Sequence, residues 1–176
     1  GYLGGVHWGM AIHPKEKLLY APMNDLEHGP GLDEPTPGLF ALDIASGEIR
    51  WSATKEDRCE GREECHSGFS AAALATPDLV FTTVLDGFIY ALDARTGEFL
   101  WEYDSWREYE AVDGSEAIGG SIDVHGPMVA GKQLIVQSGY GSFYQKGGNA
   151  LLVFETSAET GAETDAGAHT EKGAVE

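Results

Sequence analysis

Asp123 and His125 lie two residues apart in the segment Ser121-Ile-Asp-Val-His125. A carboxylate with an imidazole nearby can act as a general base that removes a proton from a hydroxyl group. The pair also has a structural interpretation, as a turn-forming aspartate and a histidine bonded to its neighbours. Asp123 and His125 are therefore candidate catalytic residues, and their role depends on the elements that position them.

Two cysteines, Cys59 and Cys65, enclose five residues. The Cys-x-x-Cys-His spacing of a haem attachment site is absent, although His66 follows Cys65. A zinc site would need more ligands at tighter spacing. The pattern favours a local disulfide that closes a loop in an oxidising compartment, and two reduced thiols are the remaining interpretation.

The charge of the chain excludes several kinds of partner. Among 176 residues, 29 are acidic and 11 basic, for a formal net charge of −18. Nucleic-acid binding needs clustered Lys and Arg, so we expect no nucleic-acid partner and no docking on anionic membrane surfaces. No apolar run approaches the ~20 residues of a spanning helix, and we expect no membrane insertion.

Two stretches fifty residues apart are almost alike, Leu39-Phe-Ala-Leu-Asp-Ile-Ala-Ser-Gly-Glu-Ile-Arg-Trp51 and Ile89-Tyr-Ala-Leu-Asp-Ala-Arg-Thr-Gly-Glu-Phe-Leu-Trp101. A repeat of this length indicates an array of similar units that bury their apolar faces against one another.

Each position shared by the two copies of the repeat has a physical role, as the first copy illustrates. Asp43 can accept hydrogen bonds from the amides of the following turn, and Gly47 supplies the positive φ of a tight hairpin. Ala41 keeps the strand flat where another sheet packs, and Trp51 is expected to fill the gap between neighbouring sheets.

Short β-branched and aromatic segments between Gly and Pro residues predict an all-β chain. We expect eleven strands, near residues 8–13, 17–23, 38–44, 48–53, 69–76, 79–85, 88–94, 98–104, 127–130, 133–138 and 150–155. Residues 156–176 are acidic and almost free of large apolar groups, which predicts a disordered tail.

These strands group into about three four-stranded antiparallel units, at residues 4–53, 69–104 and 119–155, with only three recognisable strands in the last. Units of about fifty residues are typical of the blades of a β-propeller. Because three blades cannot close a ring, we expect the chain to be the C-terminal part of a longer protein whose N-terminal blades are missing, or to borrow blades.

In an up-and-down meander, every second connection lies on the same face. One set of connections is tight, whereas the other is mostly long: Asp25–Pro37, Thr54–Gly68, Ser105–Gly126 and Gly139–Asn149. Binding groups concentrate on long loops carried by a rigid scaffold. On this face the innermost strands begin, and we expect His7-Trp8, Ser67–Ser70 and Ser121–His125 to surround the propeller axis.

The Ala-x-Asp-x-x-(Ser/Thr)-Gly-x-x-x-Trp repeat resembles the blade motif of the pyrroloquinoline-quinone (PQQ) dehydrogenase β-propeller family. Three further segments resemble the polyvinyl-alcohol-dehydrogenase-type members: Gly4-Gly-Val-His-Trp-Gly-Met-Ala, Ser138-Gly-Tyr-Gly-Ser-Phe and Gly148-Asn-Ala-Leu-Leu-Val-Phe154. The resemblance implies an eight-bladed fold, a periplasmic or secreted setting, PQQ and Ca²⁺.

The order Trp8-Gly9, Pro14, Leu18–Met23, Asn24 matches the family's cofactor blade. Carried over, Trp8 becomes the platform on which the planar quinone stacks, and Asn24 or Asp25 becomes a metal ligand. His7 and Ser70 are expected to contact the cofactor from the same opening.

The chain departs from methanol-type members at two places. Their base-supplying loop has no counterpart after Trp51, where Lys55–Cys65 stands instead, and their quinone-contacting basic residue has none near Leu85-Asp86. Adjacent cysteines are also absent.

The resemblance implies a dehydrogenase that oxidises alcohols, with PQQ as hydride acceptor and cytochrome c as electron acceptor. Asp123, with His125, would then take the alcohol proton. The alternatives are a non-enzymatic propeller scaffold of the outer-membrane assembly type, which binds protein partners, and a sensor propeller that has lost the cofactor.

Overall fold

The computed structural model describes residues 4–25, 35–140 and 145–156. These residues form thirteen strands and no helix, so none of them belongs to a helix that could cross a bilayer. The structure confirms the all-β prediction of four-stranded antiparallel sheets. Of the tail expected at 156–176, residues 157–176 lie outside the described residues.

Three meandering sheets and one hairpin make up the fold. The first sheet contains β1 Ala11–His13, β2 Leu18–Met23, β3 Gly38–Asp43 and β4 Ile49–Ala53. The second contains β5 Leu74–Ala75, β6 Leu79–Thr83, β7 Phe88–Asp93 and β8 Phe99–Asp104. The hairpin consists of β9 Glu108–Glu110 and β10 Glu116–Ile118, and the third sheet of β11 Met128–Ala130, β12 Gln133–Ser138 and β13 Ala150–Glu155.

The turn of the repeat forms as its residue types predict. Asp43 Oδ1 accepts the amides of Ala45 and Ser46 at 2.9 and 3.0 Å, and Asp93 Oδ1 accepts the two equivalent amides at 2.8 Å. These amide hydrogen bonds hold the pKa of both aspartates below its usual range. The glycine four residues later has a φ of 75° in the first copy and 74° in the second.

Each tryptophan of the repeat packs against the next sheet, as predicted. Trp51 pairs with Ala41 on β3, and its ring lies so close to Gly97 that a Cβ there would be 2.5 Å from a ring carbon. Trp101 contacts Phe154 of the third sheet edge-on, with ring centroids 5.2 Å apart. The two indoles therefore occupy equivalent places between successive sheets.

Two buried clusters fill the spaces between the sheets. The first joins the inward side of sheet one, including Leu39, to the near side of sheet two, including Tyr90. The second joins the far side of sheet two, including Ile89, to Val136 and Leu152 of sheet three. Because successive side chains of a strand alternate, Ile89 and Tyr90 belong to different clusters, and sheet two is buried on both faces.

Three of the predicted segments differ from the structure in detail. The segment expected to be a long loop at Ser105–Gly126 contains the β9–β10 hairpin. The first strands of sheets one and two are also shorter than the expected 8–13 and 69–76. Their leading residues bond to neighbouring strand starts instead: the amide of Ala73 donates to the carbonyl of Gly9 at 3.4 Å.

Candidate functional site

The structure brings the three expected strand starts together at the long-loop end of the sheets. His7 Nδ1 lies 3.1 Å from Ser70 Oγ, which joins the start of the first sheet to that of the second. Trp8 Nε1 donates to Asp123 Oδ1 at 2.7 Å, which joins the first sheet to the segment that precedes the third. We call this group, His7, Trp8, Ser70 and Asp123, the mouth cluster.

Small residues allow the backbone to pack closely beneath the mouth cluster. The amide of Ala72 donates to the carbonyl of Val124 at 3.4 Å. A Cβ at Gly126 would lie 1.8 Å from the Ala72 carbonyl oxygen, so only glycine fits there. The mouth cluster therefore rests on a tightly packed backbone.

Trp8 presents a flat aromatic surface at the mouth. The residue is 52% exposed. The indole nitrogen is a donor only, and its one hydrogen bond is to Asp123. Part of the ring is thus accessible while its polar edge is bonded, a suitable arrangement for stacking a planar ligand.

The carboxylate of Asp123 is buried, with 6% of the residue exposed, and it accepts three N–H donors. Oδ1 accepts Trp8 Nε1 and the amide of Val124 at 2.8 Å, and Oδ2 accepts Gln145 Nε2 at 3.1 Å. A carboxylate oxygen has two lone-pair sites, so these donors use both sites of Oδ1 and one of Oδ2. Counting donors from the described residues, one lone-pair site of Oδ2 is left over.

Backbone strain accompanies the Asp123 carboxylate. Val124 has a φ of 60°, a left-handed conformation that costs an L-residue about 1–2 kcal/mol and is rare for β-branched side chains. The hydrogen bond from its amide to Asp123 Oδ1 offsets part of this cost. Strained residues of this kind cluster at functional sites.

His125 is exposed and lies beside Tyr140, with ring centroids 6.1 Å apart and planes tilted by 41°. Among the described residues, no hydrogen bond joins His125 to Asp123, and the carboxylate is held by the three N–H donors instead. The loop after Tyr140 falls partly outside the described residues, at 141–144. The catalytic role of His125 stays a prediction.

Asn24 and Asp25, the expected metal ligands, follow β2 directly. Asn24 is 2% exposed, and its Nδ2 lies 3.4 Å from His7 Nδ1. Asp25 Oδ2 accepts the amide of Thr36 at 2.9 Å, which closes the base of the loop. Within the described parts of the chain, no three His, Cys, Asp or Glu side chains are grouped to hold a metal ion.

Gln145 belongs to the site although the sequence analysis did not single it out. It lies in the Gly-rich loop between β12 and β13 and donates to Asp123. The adjacent Lys146 accepts the amide of Ser121 with its carbonyl and donates its own amide to Ser121 Oγ, which places both segments side by side. A single polar residue in a loop carries no periodic signal, so only the long-loop topology could have indicated it.

Cys59 and Cys65 form a disulfide within the loop that joins sheets one and two. Three cations of this loop dock on the second sheet. Lys55 and Arg58 both bond Glu102 of β8, at 3.1 and 2.8 Å, and Arg62 donates to the carbonyl of Asp86 at 3.0 Å. We call residues 55–65 the disulfide loop.

Comparisons with characterised proteins agree with this architecture. No protein-family model matches the chain. Polyvinylalcohol dehydrogenase of Sphingopyxis sp. (strain 113P3) is 34% identical over 85% of the chain and 23% of that protein. Its counterpart from Pseudomonas sp. is 32% identical over 89% of the chain and 26% of that protein. The 1-butanol dehydrogenase (cytochrome c) of Thauera butanivorans is 35% identical over 39% of the chain and 10% of that protein.

Among solved structures, the quinohemoprotein alcohol dehydrogenase from Comamonas testosteroni aligns with a TM-score of 0.56 and 16% identity over 87% of the chain, which is 20% of that structure. At this identity the likeness concerns the fold. The chain spans about a quarter of the length of the two polyvinyl alcohol dehydrogenases. By sequence, this chain is similar to part of the polyvinyl alcohol dehydrogenases, and its β-propeller fold is similar to part of a quinohemoprotein alcohol dehydrogenase.

Proposed function

We propose that this chain forms part of a PQQ-dependent dehydrogenase that oxidises alcohol groups and passes electrons to cytochrome c. Its blades, at about 4–53, 69–104 and 119–155, would complete a propeller together with further blades. The names of the relatives support the alcohol substrate and the electron acceptor. The disulfide supports a periplasmic or secreted location, because such bonds persist in oxidising compartments.

The observation that carries the proposal is the half-exposed Trp8, held by its nitrogen where three strand starts meet. A tricyclic quinone needs a flat π surface and polar groups at its edge. Trp8 would supply the surface. His7 and Ser70, already bonded to each other at 3.1 Å, would supply polar contacts on the side of the second sheet. The residues present therefore fit PQQ.

When bound, PQQ would supply the acceptor for a hydride from the alcohol carbon. The hydroxyl proton needs a separate acceptor, and Asp123 Oδ2 has the remaining lone-pair site for it. His125, exposed two residues later, would exchange that proton with solvent. The buried backbone beneath the mouth cluster would exclude water from the inner side of the site.

Calcium is the second cofactor that we propose, with Asn24 and Asp25 as oxygen ligands. Calcium takes about 6–8 oxygen ligands, which two side chains cannot provide. The other ligands would come from the cofactor, from backbone carbonyls or from other parts of the protein. The positions of Asn24 and Asp25 at the end of β2, with Asn24 beside His7, support this assignment.

The full-length protein tests the proposal through PQQ binding and turnover. We expect titration calorimetry to detect PQQ uptake with Ca²⁺ present, and dye reduction to follow on addition of simple primary or secondary alcohols. Trp8→Ala should weaken PQQ binding by about tenfold or more, since a buried aromatic stack contributes about 0.5–1.5 kcal/mol beyond its contact area. Gln133→Ala, at the opposite end of β12, is the control and should bind normally.

Asp123→Asn tests the proton acceptor. We expect kcat to fall by about 10²- to 10⁴-fold, the usual contribution of a general base, with a smaller effect on PQQ binding. An unchanged kcat would remove Asp123 from the mechanism. Absence of PQQ uptake with calcium or any other metal would reject the enzyme proposal and favour a scaffold that binds proteins.

A further inference from the structure

About half of Trp8 is exposed, so packing restrains its ring less than it would restrain the ring of a fully buried tryptophan. The 2.7 Å hydrogen bond from Nε1 to Asp123 lies at the polar edge of the ring. An N–H donor points in the plane of the indole, so the position of the Asp123 carboxylate determines how that plane is turned.

The carboxylate of Asp123 must itself be held if it is to orient another group. Its Oδ1 also accepts the amide of Val124, and its Oδ2 accepts Gln145 Nε2 at 3.1 Å. Gln145 is therefore the side chain that fixes the second oxygen, and with it the rotation of the carboxylate. Without Gln145, the described donors would hold the carboxylate through Oδ1 alone, and its plane could then turn relative to the indole.

The backbone that carries Gln145 is anchored to the backbone that carries Asp123. The amide of Ser121 donates to the Lys146 carbonyl at 2.9 Å, and the amide of Lys146 donates to Ser121 Oγ at 3.1 Å. The amide of Gly139 in turn donates to the carbonyl of Ser121 at 3.0 Å. These bonds hold Gln145 in register with Asp123.

We propose that Gln145 is a positioning residue that sets, through Asp123, the plane of the Trp8 ring for a stacked planar ligand. This inference rests on the proposed function, in which that ligand is PQQ. Gln145 acts on the orientation of the platform, whereas Trp8 makes the contact. The consequence is that loss of Gln145 should disorder the indole without removing it.

The test compares wild type, Gln145→Ala and Gln145→Glu in the full-length protein. Subtracting the near-ultraviolet circular dichroism of Trp8→Phe from that of wild type isolates the Trp8 band, because an aromatic ring gives a strong band only when its surroundings are fixed. We expect this band to lose at least half of its intensity in both Gln145 variants. The dissociation constant for PQQ should rise about three- to tenfold, the loss expected for one hydrogen bond.

Gln133→Ala is the matched control, an exposed glutamine at the far end of β12. It should retain both the Trp8 band and the affinity. A thermal melt of each variant shows whether the fold is intact, and Gln145→Glu preserves side-chain size if the alanine variant is unstable.

Two results would overturn the inference: an unchanged Trp8 band in the Gln145 variants, or a lost band with unchanged PQQ affinity. If wild type binds no PQQ, the proposed function and the identity of the ligand are both rejected. The Trp8 band then still decides whether Gln145 orients the ring, so the two failures are distinguishable.

Discussion

At the scale of single residues, Asp86 is the most perturbed carboxyl in the described part of the chain. It lies in the tight turn between β6 and β7 and is 2% exposed. Burial raises its pKa to about 6, although the amide of Phe88 and the nearby Arg62 act in the opposite direction. The folded chain therefore keeps this proton to a higher pH than the unfolded chain, whose carboxyl titrates near pH 4.

Asp86→Asn should stabilise the protein at neutral pH. Protonated Asp86 favours the fold below about pH 4, and this contribution disappears as the pH rises through 6. Asparagine stays neutral and its oxygen can still accept the Phe88 amide. We expect equal melting temperatures near pH 4 and a gain equivalent to about 1–3 kcal/mol above pH 7, at about 1.4 kcal/mol per pKa unit.

Asp113→Asn provides the control, because Asp113 also precedes a glycine in a turn. Hydrogen bonds from Ser115 lower the pKa of this exposed carboxyl, so its contribution to stability exists above pH 4 and is lost as the pH falls. The Asp113→Asn variant should therefore be no more stable than wild type at pH 7. If the melting temperatures of Asp86→Asn and wild type depend on pH in the same way, then ionised Asp86 does not destabilise the fold and the prediction is wrong.

The residues of the candidate site differ in how far the sequence could predict them. Trp8, Ser70 and Asp123 could be placed at one opening because alternate loops of a meander share a face. Their pairing could not be predicted, because it depends on the exact approach of three strand starts around Ala72. Gln145 was missed since its only distinguishing feature is a contact with a residue 22 positions earlier.

At the scale of elements, the cationic side chains of the disulfide loop hold it against the second sheet. Lys55 Nζ lies 4.2 Å from the centre of the Phe99 ring, and the Arg58 guanidinium lies 4.4 Å from that of Phe88. Arg58 lowers the pKa of Glu102 by a direct hydrogen bond. The covalent closure at Cys59–Cys65 restricts the loop to conformations in which these contacts can form.

Removal of the disulfide should therefore destabilise the protein. We expect Cys59→Ser with Cys65→Ser to reduce the free energy of unfolding by about 2 kcal/mol, the value for a short closed loop. Wild type in dithiothreitol should melt at the same temperature as the double variant, which dithiothreitol should not affect. Identical melting of oxidised and reduced wild type would show that the loop docks without its covalent closure.

The β9–β10 hairpin shows where sequence patterns give too weak a signal for an element. Its strands are Glu-Tyr-Glu and Glu-Ala-Ile, three residues each, which is too short for apolar alternation to mark them. The Asp113-Gly114 pair was the available signal, since this dipeptide is typical of two-residue hairpin turns, and Gly114 has a φ of 83°. The other eleven strands were predicted because their segments combine β-branched and aromatic residues with clear Gly or Pro boundaries.

At the scale of the whole molecule, successive sheets pack against each other through the tryptophan of each repeat, Trp51 or Trp101. The two repeat glycines have almost the same φ, but their surroundings differ. A Cβ at Gly47 would meet no atom of the described residues within 4 Å, whereas one at Gly97 would lie 2.5 Å from the Trp51 ring. The chain thus contains a natural pair of positions that separates local backbone strain from packing between sheets.

Comparing Gly47→Ala with Gly97→Ala measures how tightly the Trp51 ring packs against the turn of the second sheet. Both variants place an alanine at positive φ, for about 1–2 kcal/mol of destabilisation each. Gly97→Ala must also displace the Trp51 ring, and overpacking of this kind costs about 1–3 kcal/mol more. Chemical denaturation should therefore show a clearly larger loss for Gly97→Ala, and Trp51→Leu should remove the difference between the two positions. If Gly47→Ala and Gly97→Ala cause equal losses while Trp51 is still present, the indole does not pack against the turn of the second sheet, and the two buried clusters alone hold the sheets together.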